Sequence, residues 1–224
     1  THNLLEAMRK CEVKRIVFSS SAAALGEPST FPTPEDCSFP IQTSLYGSSK
    51  LACEGMISSY CQGYGFEGYV FRFVSLLGPR YPHGHVFDFV KKLKADETVL
   101  NILGDGQQKK SYLHIDDCLH ALVHICLNKR TALNNPDRFS VFHLGVSDYC
   151  KVVDSAGWIC DELGLSPVFE FSGGERGWIG DNPFVFLDCS KARETGWSPK
   201  HGIEESIRET TVWLSENPWI LDSR

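Results

Sequence analysis

Apolar and polar positions recur along this chain with two periods, one helical and one extended, and their order predicts most of its elements. Leu4, Leu5 and Met8 share one helical face, and the basic pair Lys14-Arg15 then leads into an apolar strand over Ile16–Ser19. That strand continues into Ser20 and Ser21. An apolar run closing on hydroxyl residues is the pattern of a buried parallel strand whose carboxyl end opens onto a reaction site. Pro28, Pro32, Pro34 and Pro40 make Gly26–Thr43 an irregular loop, and a helix follows from about Ser44 to Gly63, stopped by Gly63 and Gly65. Gly68–Leu76 reads as a second buried strand.

Shorter elements come next. The pattern predicts a helix over Val86–Ala95, a strand over Val99–Leu103, a turn at Gly104-Asp-Gly106 and a strand over Ser111–Ile115. An apolar helix over Asp116–Asn128 places its acids at the end the macrodipole favours. Val141–Leu144 is expected as a strand and Val152–Leu163 as a helix. Gly173–Asp181 is a glycine-rich loop too rigidly sequenced for a mere linker. A strand over Phe184–Leu187, a small helix over Ser190–Glu194 and a last helix with Ile203, Ile207, Thr210 and Leu214 on one face complete the pattern. Strands and helices alternate as in an α/β protein, without an internal repeat.

Composition narrows the partners. The 224 residues, 42% of them hydrophobic, suffice for a sizeable core. A net charge of −6 with scattered basic residues argues against a general nucleic-acid surface. Nine cysteines without a CxxC pair read as reduced, mostly buried thiols and hence a cytoplasmic setting. No apolar run approaches the length of a membrane span. The chain opens on Thr-His-Asn-Leu-Leu, without an initiator Met and already within a helical pattern, and so reads as a piece of a longer protein.

The candidate chemistry lies between Ile16 and Lys50. Tyr46 and Lys50 are four residues apart at the start of the predicted helix and share one face of it. A hydroxyl from the strand end, a phenol and an ammonium therefore converge on one small space. Other combinations carry less. His83, His85 and Asp88 are metal-ligating types, but His-Gly-His before a helix reads as a loop, and no metal is expected. His120 and His124 lack the glutamate of an HExxH motif and read as ordinary helix positions. Trp158, Trp178, Trp197 and Trp213 read as core.

With Ser19–Ser21, Tyr46 and Lys50, the later Gly78-Pro-Arg80, Gly104-Asp-Gly106 and Gly180-Asp181 follow an order that resembles the extended short-chain dehydrogenase/reductase family. Within it the chain is most similar to nucleotide-sugar epimerases of the UDP-glucose 4-epimerase type, from Thr1 to about Leu214. The resemblance implies the C-terminal part of a Rossmann-type doubly wound parallel sheet plus a small mixed α/β substrate-binding lobe. Residues 1–77 would be the C-terminal half of the NAD-binding domain. Residues 78–224 would be mainly the substrate lobe, with about 104–145 returning to the first domain. Relatives begin with a Gly-rich turn for the NAD pyrophosphate, which this sequence lacks. The chain alone is therefore expected to bind NAD weakly and to be inactive, and its strand Ile16–Ser19 to present a raw apolar edge.

Carried over residue by residue, the catalytic triad falls on Ser21, Tyr46 and Lys50, and Ser19, Ser20, Tyr46, Lys50 and Phe73 fall at the cofactor. A tyrosinate could take the proton from a sugar hydroxyl as hydride leaves the same carbon for NAD. Moving a phenol from a pKa of about 10 to near 7 takes about 4 kcal/mol of selective stabilisation, which a neighbouring ammonium can supply. Dehydratases of the family carry an Asp-Glu pair directly after the catalytic hydroxyl, and its decarboxylases keep a Glu nearby. Ala22 and Ala23 stand there instead, which favours reversible oxidation at C4, an epimerisation.

For the substrate, a nucleotide-diphosphate sugar and most simply a UDP-sugar, the resemblance points to Ser75, Val86, Phe87, Lys110, Arg176 and Asp181. Three positions depart from the family pattern: Ser75 replaces an Asn, Leu25-Gly26 replaces Tyr-Gly, and Trp178 stands where a phosphate-binding Arg is usual. A homodimer is the family's usual assembly. An NAD(P)-dependent reductase of the same family and a non-catalytic scaffold derived from the fold are the alternatives.

Overall fold

The glycines, prolines and hydroxyl caps of the sequence punctuate the chain much as expected in the computed structural model, which describes residues 1–37, 41–127, 138–177, 182 and 184–223. In chain order the elements are α1 (His2–Lys10), β1 (Arg15–Ser19), a 3-10 turn (Ala22–Leu25), α2 (Leu45–Tyr64), β2 (Glu67–Phe73), β3 (Ser75–Leu77), α3 (His85–Ala95) and β4 (Val99–Ile102). Then come β5 (Lys109–Lys110), β6 (Tyr112–His114), α4 (Ile115–Leu127), β7 (Phe139–Leu144), β8 (Cys150–Lys151), α5 (Val152–Leu163), β9 (Val168–Phe171), α6 (Ser190–Glu194), α7 (Ile203–Glu216) and a closing 3-10 turn (Pro218–Ser223). They form two compact units, one of Thr1–Val74, Leu119–Gly145 and Leu187–Ser198, the other of Ser75–Cys118, Val146–Phe186 and Pro199–Arg224.

The first unit is built on a parallel sheet of order β1-β2-β7. Its register pairs Ile16 with Gly68 and Ser19 with Phe71 on one side of β2, and Gly68 with Phe139 and Phe73 with Leu144 on the other. Among the described residues β1 has no second partner, so it forms one edge of the sheet, with Val17 43% exposed. Its residue Ile16 joins Leu5 of α1, Ile57, Tyr60 and Cys61 of α2, and Phe66 in the core of the unit. Close helix-to-strand packing explains Gly68: a Cβ there would sit 2.8 Å from Cys61 Sγ and 2.9 Å from Ile57 Cγ2. Ser44 starts α2 by accepting the Gly47 amide at 3.0 Å, and Gly65 ends it in the left-handed region at φ 66°.

The second unit has three small ladders, β3 parallel to β6, β4 parallel to β9 and β5 antiparallel to β8. Its helices α3, α5 and α7 pack on one another. Asp117 holds the approach to α7. Its Oδ2 accepts the amides of Lys200 at 3.0 Å and His201 at 2.9 Å and lies 2.9 Å from His201 Nδ1, which raises that imidazole above its usual value.

The expected elements form with four corrections. The run read as one strand over Gly68–Leu76 breaks at Val74: β2 pairs with β7, whereas β3 pairs with β6. An apolar run signals extended backbone but not a change of partner. Phe184–Leu187 is no strand, because Phe184 and Leu187 make single bridges to different segments, at Lys109 and Thr33. The short strands β5, β8 and β9 escaped the pattern. The tryptophans are not one core: Trp197 is 1% exposed, whereas Trp158 and Trp213 are half-buried, and Trp178 lies outside the described residues. All nine cysteines are free thiols, five of them buried. No helix among the described residues is long and apolar enough to cross a membrane.

Candidate functional site

The end of β1 and the first turns of α2 lie together in the first unit. Lys50 Nζ donates to the Ser19 carbonyl at 2.8 Å and lies 5.5 Å from the Tyr46 ring centroid and 5.1 Å from that of Phe18. One of its three N–H donors is thus engaged by the strand. Tyr46 is 55% exposed, and among the described residues its phenol has no hydrogen-bond partner. Ser21 is extended, at φ −155° and ψ 152°, and its Oγ accepts the Ala23 amide at 3.1 Å, capping the 3-10 turn. Its hydroxyl hydrogen therefore points elsewhere, free to be donated. Ser19 is exposed and Phe73 half-buried.

Ser20 is 1% exposed, and its Oγ donates to Glu54 Oε1 at 2.5 Å, so its hydroxyl is taken up inside the unit. In extended backbone consecutive side chains alternate, and Ser20 takes the inner face while its neighbours take the other.

Behind Ser20 lies a buried polar network that sequence reasoning missed. Arg72 Nη2 donates to Glu54 Oε2 at 2.7 Å, and its Nε lies 3.0 Å from Oε1 and 3.2 Å from Oε2. Arg72 Nη1 donates to the Glu35 carbonyl at 3.1 Å and stands 3.5 Å from His143 Nε2. His143 Nδ1 donates to the Thr33 carbonyl at 3.1 Å, which leaves Nε2 as an acceptor facing Arg72. Two signals were available: an Arg within an apolar strand requires a buried partner, and a Glu one turn beyond Lys50 was in position to supply it.

Burial, reinforced by Arg72, lowers the His143 pKa to about 4. The unfolded chain takes a proton near the ordinary value of about 6.5 that the folded chain refuses, so stability present above that pH falls as the pH drops toward 4. The loss approaches about 3 kcal/mol by pH 4. Glu35, whose carboxyl burial raises, works in the opposite sense at the acid end. Urea midpoints measured between pH 7 and 5 should therefore fall in the wild type and stay flatter in His143→Gln.

The expected substrate residues lie in the second unit, apart from any that the structure leaves undescribed. Ser75 is exposed at the start of β3. Val86 and Phe87 are 0% and 3% exposed, so their side chains are helix core and not available as pocket walls, although their amides belong to the first turn of α3. Lys110 Nζ donates to the Asn182 carbonyl at 2.6 Å, and Arg176 is exposed. Asp181, Gly180 and Trp178 fall outside the described residues. His85 is held by Tyr112 Oη and Ser155 Oγ, each 2.6 Å from one ring nitrogen. His124 Nε2 donates to the Thr195 carbonyl at 2.9 Å. Among the described residues no three His, Cys, Asp or Glu side chains are arranged to hold a metal ion. An open groove of about 770 Å³ in this unit, lined by Asp148, Trp158, Glu205 and Arg208 among others, contains none of the expected substrate residues.

Known proteins place these observations in context. Residues 1–141 match the model of the NAD dependent epimerase/dehydratase family. A putative UDP-glucose 4-epimerase of Methanocaldococcus jannaschii is 29% identical over 97% of this chain and 68% of its own length. A crystal structure of a UDP-galactose 4-epimerase agrees with a TM-score of 0.85 at 30% identity, over 97% of this chain and 68% of that one. The UDP-glucose 4-epimerase of Thermus thermophilus, solved in complex with NAD, agrees with a TM-score of 0.75 at 26% identity, over 96% of this chain and 68% of that one.

Proposed function

Because this chain belongs to the NAD dependent epimerase/dehydratase family, we propose that the whole protein is a UDP-sugar 4-epimerase in which Ser21, Tyr46 and Lys50 act on the sugar. The observation that carries this reading is the grip of Lys50 on the Ser19 carbonyl, 2.8 Å away, with the Tyr46 phenol, which has no hydrogen-bond partner among the described residues, one turn earlier on α2. When bound, NAD supplies a reversible hydride acceptor. The residues suit its nicotinamide ribose, since Lys50 keeps two N–H donors beyond the one used by Ser19.

The chain's own side chains then handle protons and orientation. Tyr46, as tyrosinate beside the Lys50 ammonium, takes the proton from the C4 hydroxyl. Ser21, with its Oγ already accepting from Ala23, donates its hydroxyl hydrogen to the reacting oxygen. With NAD bound to hold the C4 hydride, a sugar that turned over in the site could take that hydride back on its other face and the proton back from Tyr46. Elimination of water would need an acid next to Ser21, where Ala22 and Ala23 stand. For the substrate we assign Lys110 and Arg176 to the diphosphate, the backbone of Val86 and Phe87 and the side chain of Asp181 to the nucleoside, and Ser75 to a weaker version of the contact an Asn amide would make. The nine free thiols support a cytoplasmic setting, and the family resemblance supports a homodimer.

Full-length protein incubated with UDP-glucose or UDP-galactose and catalytic NAD should interconvert the two without net NADH. No interconversion and no bound NADH would overturn the reading, and net consumption of NAD(P)H with a carbonyl substrate would favour a reductase.

A further inference from the structure

Two residues of α2 hold the last residue of β1 and the residue after it. Lys50 binds the Ser19 carbonyl at 2.8 Å, and Glu54, one turn on, accepts the Ser20 hydroxyl at 2.5 Å. Tyr46, Lys50 and Glu54 are spaced at i, i+4 and i+8, along one helical face. We propose that Glu54 is a positioning residue for the reaction: clamped by Arg72, it holds Ser20 inward and thereby fixes Ser21 on the outer face of the strand end. This rests on the epimerase reading for its catalytic consequence, though not for its geometry.

The physical case begins with burial. Ser20, Glu54 and Arg72 are 1%, 4% and 8% exposed. A buried ion pair returns little net stability over a well-packed apolar pair, yet its fixed hydrogen-bond geometry specifies one arrangement. Here the Arg72 fork occupies both Glu54 oxygens, so the carboxylate cannot rotate, and one of those oxygens meets Ser20. Arg72 is itself tied to the Glu35 carbonyl, and β2 pairs in register with β1 up to Ser19 and Phe71. A shift by one residue at the end of β1 would turn Ser21 inward and Ser20 outward, exchanging the two hydroxyls. Ser20 on Glu54 forbids that exchange. The Ser21 hydroxyl is then held with its Oγ accepting the Ala23 amide, which leaves its hydrogen to be donated to another group.

The test uses the full-length protein with Glu54→Gln, Ser20→Ala and the double variant, assayed well below their melting temperatures. We expect kcat per folded enzyme to fall at least tenfold in each single variant, with KM changed less than about threefold, and the double variant to be no worse than Glu54→Gln, as for groups acting as one unit. Equal kcat per folded enzyme, or losses in KM alone, would overturn the proposal. Ser20→Ala, nearly isosteric, keeps the test open if Glu54→Gln does not fold. Amide exchange provides an arm independent of turnover: the Ala23 amide, bonded to Ser21 Oγ, should exchange about tenfold faster in Ser20→Ala while the Val70 amide is unchanged. Unchanged Ala23 exchange, or equal acceleration of both amides, would refute the positioning role. If wild type interconverts no UDP-sugar, the epimerase reading fails, and the Ala23 result alone decides the fate of the grip.

Discussion

Tyr46→Phe in the full-length protein is expected to lower kcat for UDP-sugar interconversion about a thousandfold while leaving the folded state as stable as before. The first half follows from the role proposed for the phenol. Proton transfer by a positioned group contributes roughly 10²–10⁴-fold, and a loss near the middle of that range corresponds to about 4 kcal/mol of barrier. The second half follows from the structure. Tyr46 is 55% exposed and its hydroxyl has no hydrogen-bond partner among the described residues, so Phe removes no folded-state bond. Thermal melting should agree with wild type within about 0.5 kcal/mol. The bound UDP-sugar should be retained with little change in KM, since the missing proton acceptor acts in the transition state. A variant that turns over at the wild-type rate would remove Tyr46 from the mechanism.

Gly47→Ala should damage both fold and reaction. Gly47 is buried in the first turn of α2, and a Cβ there would collide with the Ala23 carbonyl oxygen and with Gln42 Oε1. The Gln42 side chain could yield, although its Nε2 is held by the Ala24 carbonyl at 2.7 Å. The Ala23 carbonyl cannot move without disturbing the 3-10 turn that Ser21 caps. The start of α2 must therefore lift away from that turn. Overpacking of this kind costs about 1–3 kcal/mol. A displacement near 1 Å at a reacting group can cost about a hundredfold in rate. We expect both, with kcat falling more than stability suggests, because Tyr46 immediately precedes the displaced residue. Chemical unfolding combined with kcat per folded enzyme would separate the two losses. A Gly47→Ala enzyme with wild-type kcat would show that α2 can retreat without moving its phenol.

Much of the candidate site is legible in the sequence. The hydroxyl-terminated strand and the Tyr46-Lys50 spacing are local features, set by periods of two and 3.6 residues that side-chain chemistry imposes on the backbone. The same is true of α5 and α6, whose limits at Val152–Leu163 and Ser190–Glu194 are those the pattern predicts. Local signals failed wherever a distant partner decided the outcome. Three serines in a row carry no local sign of which one is buried, and it is Glu54, 34 residues away, that takes up the hydroxyl of Ser20.

By itself, then, the sequence determined the alternation of helices and strands, the caps of α2 and the set of polar groups gathered between Ile16 and Lys50. Each of these depends on residues within a few turns of one another. Tertiary structure alone decided that the apolar run after Gly68 changes partner at Val74, that Val86 and Phe87 are buried, and that Arg72, Glu54 and His143 meet in one network. These outcomes depend on strand pairing and on the desolvation of charges, which are settled between residues remote in the chain and carry no period that a sequence can display.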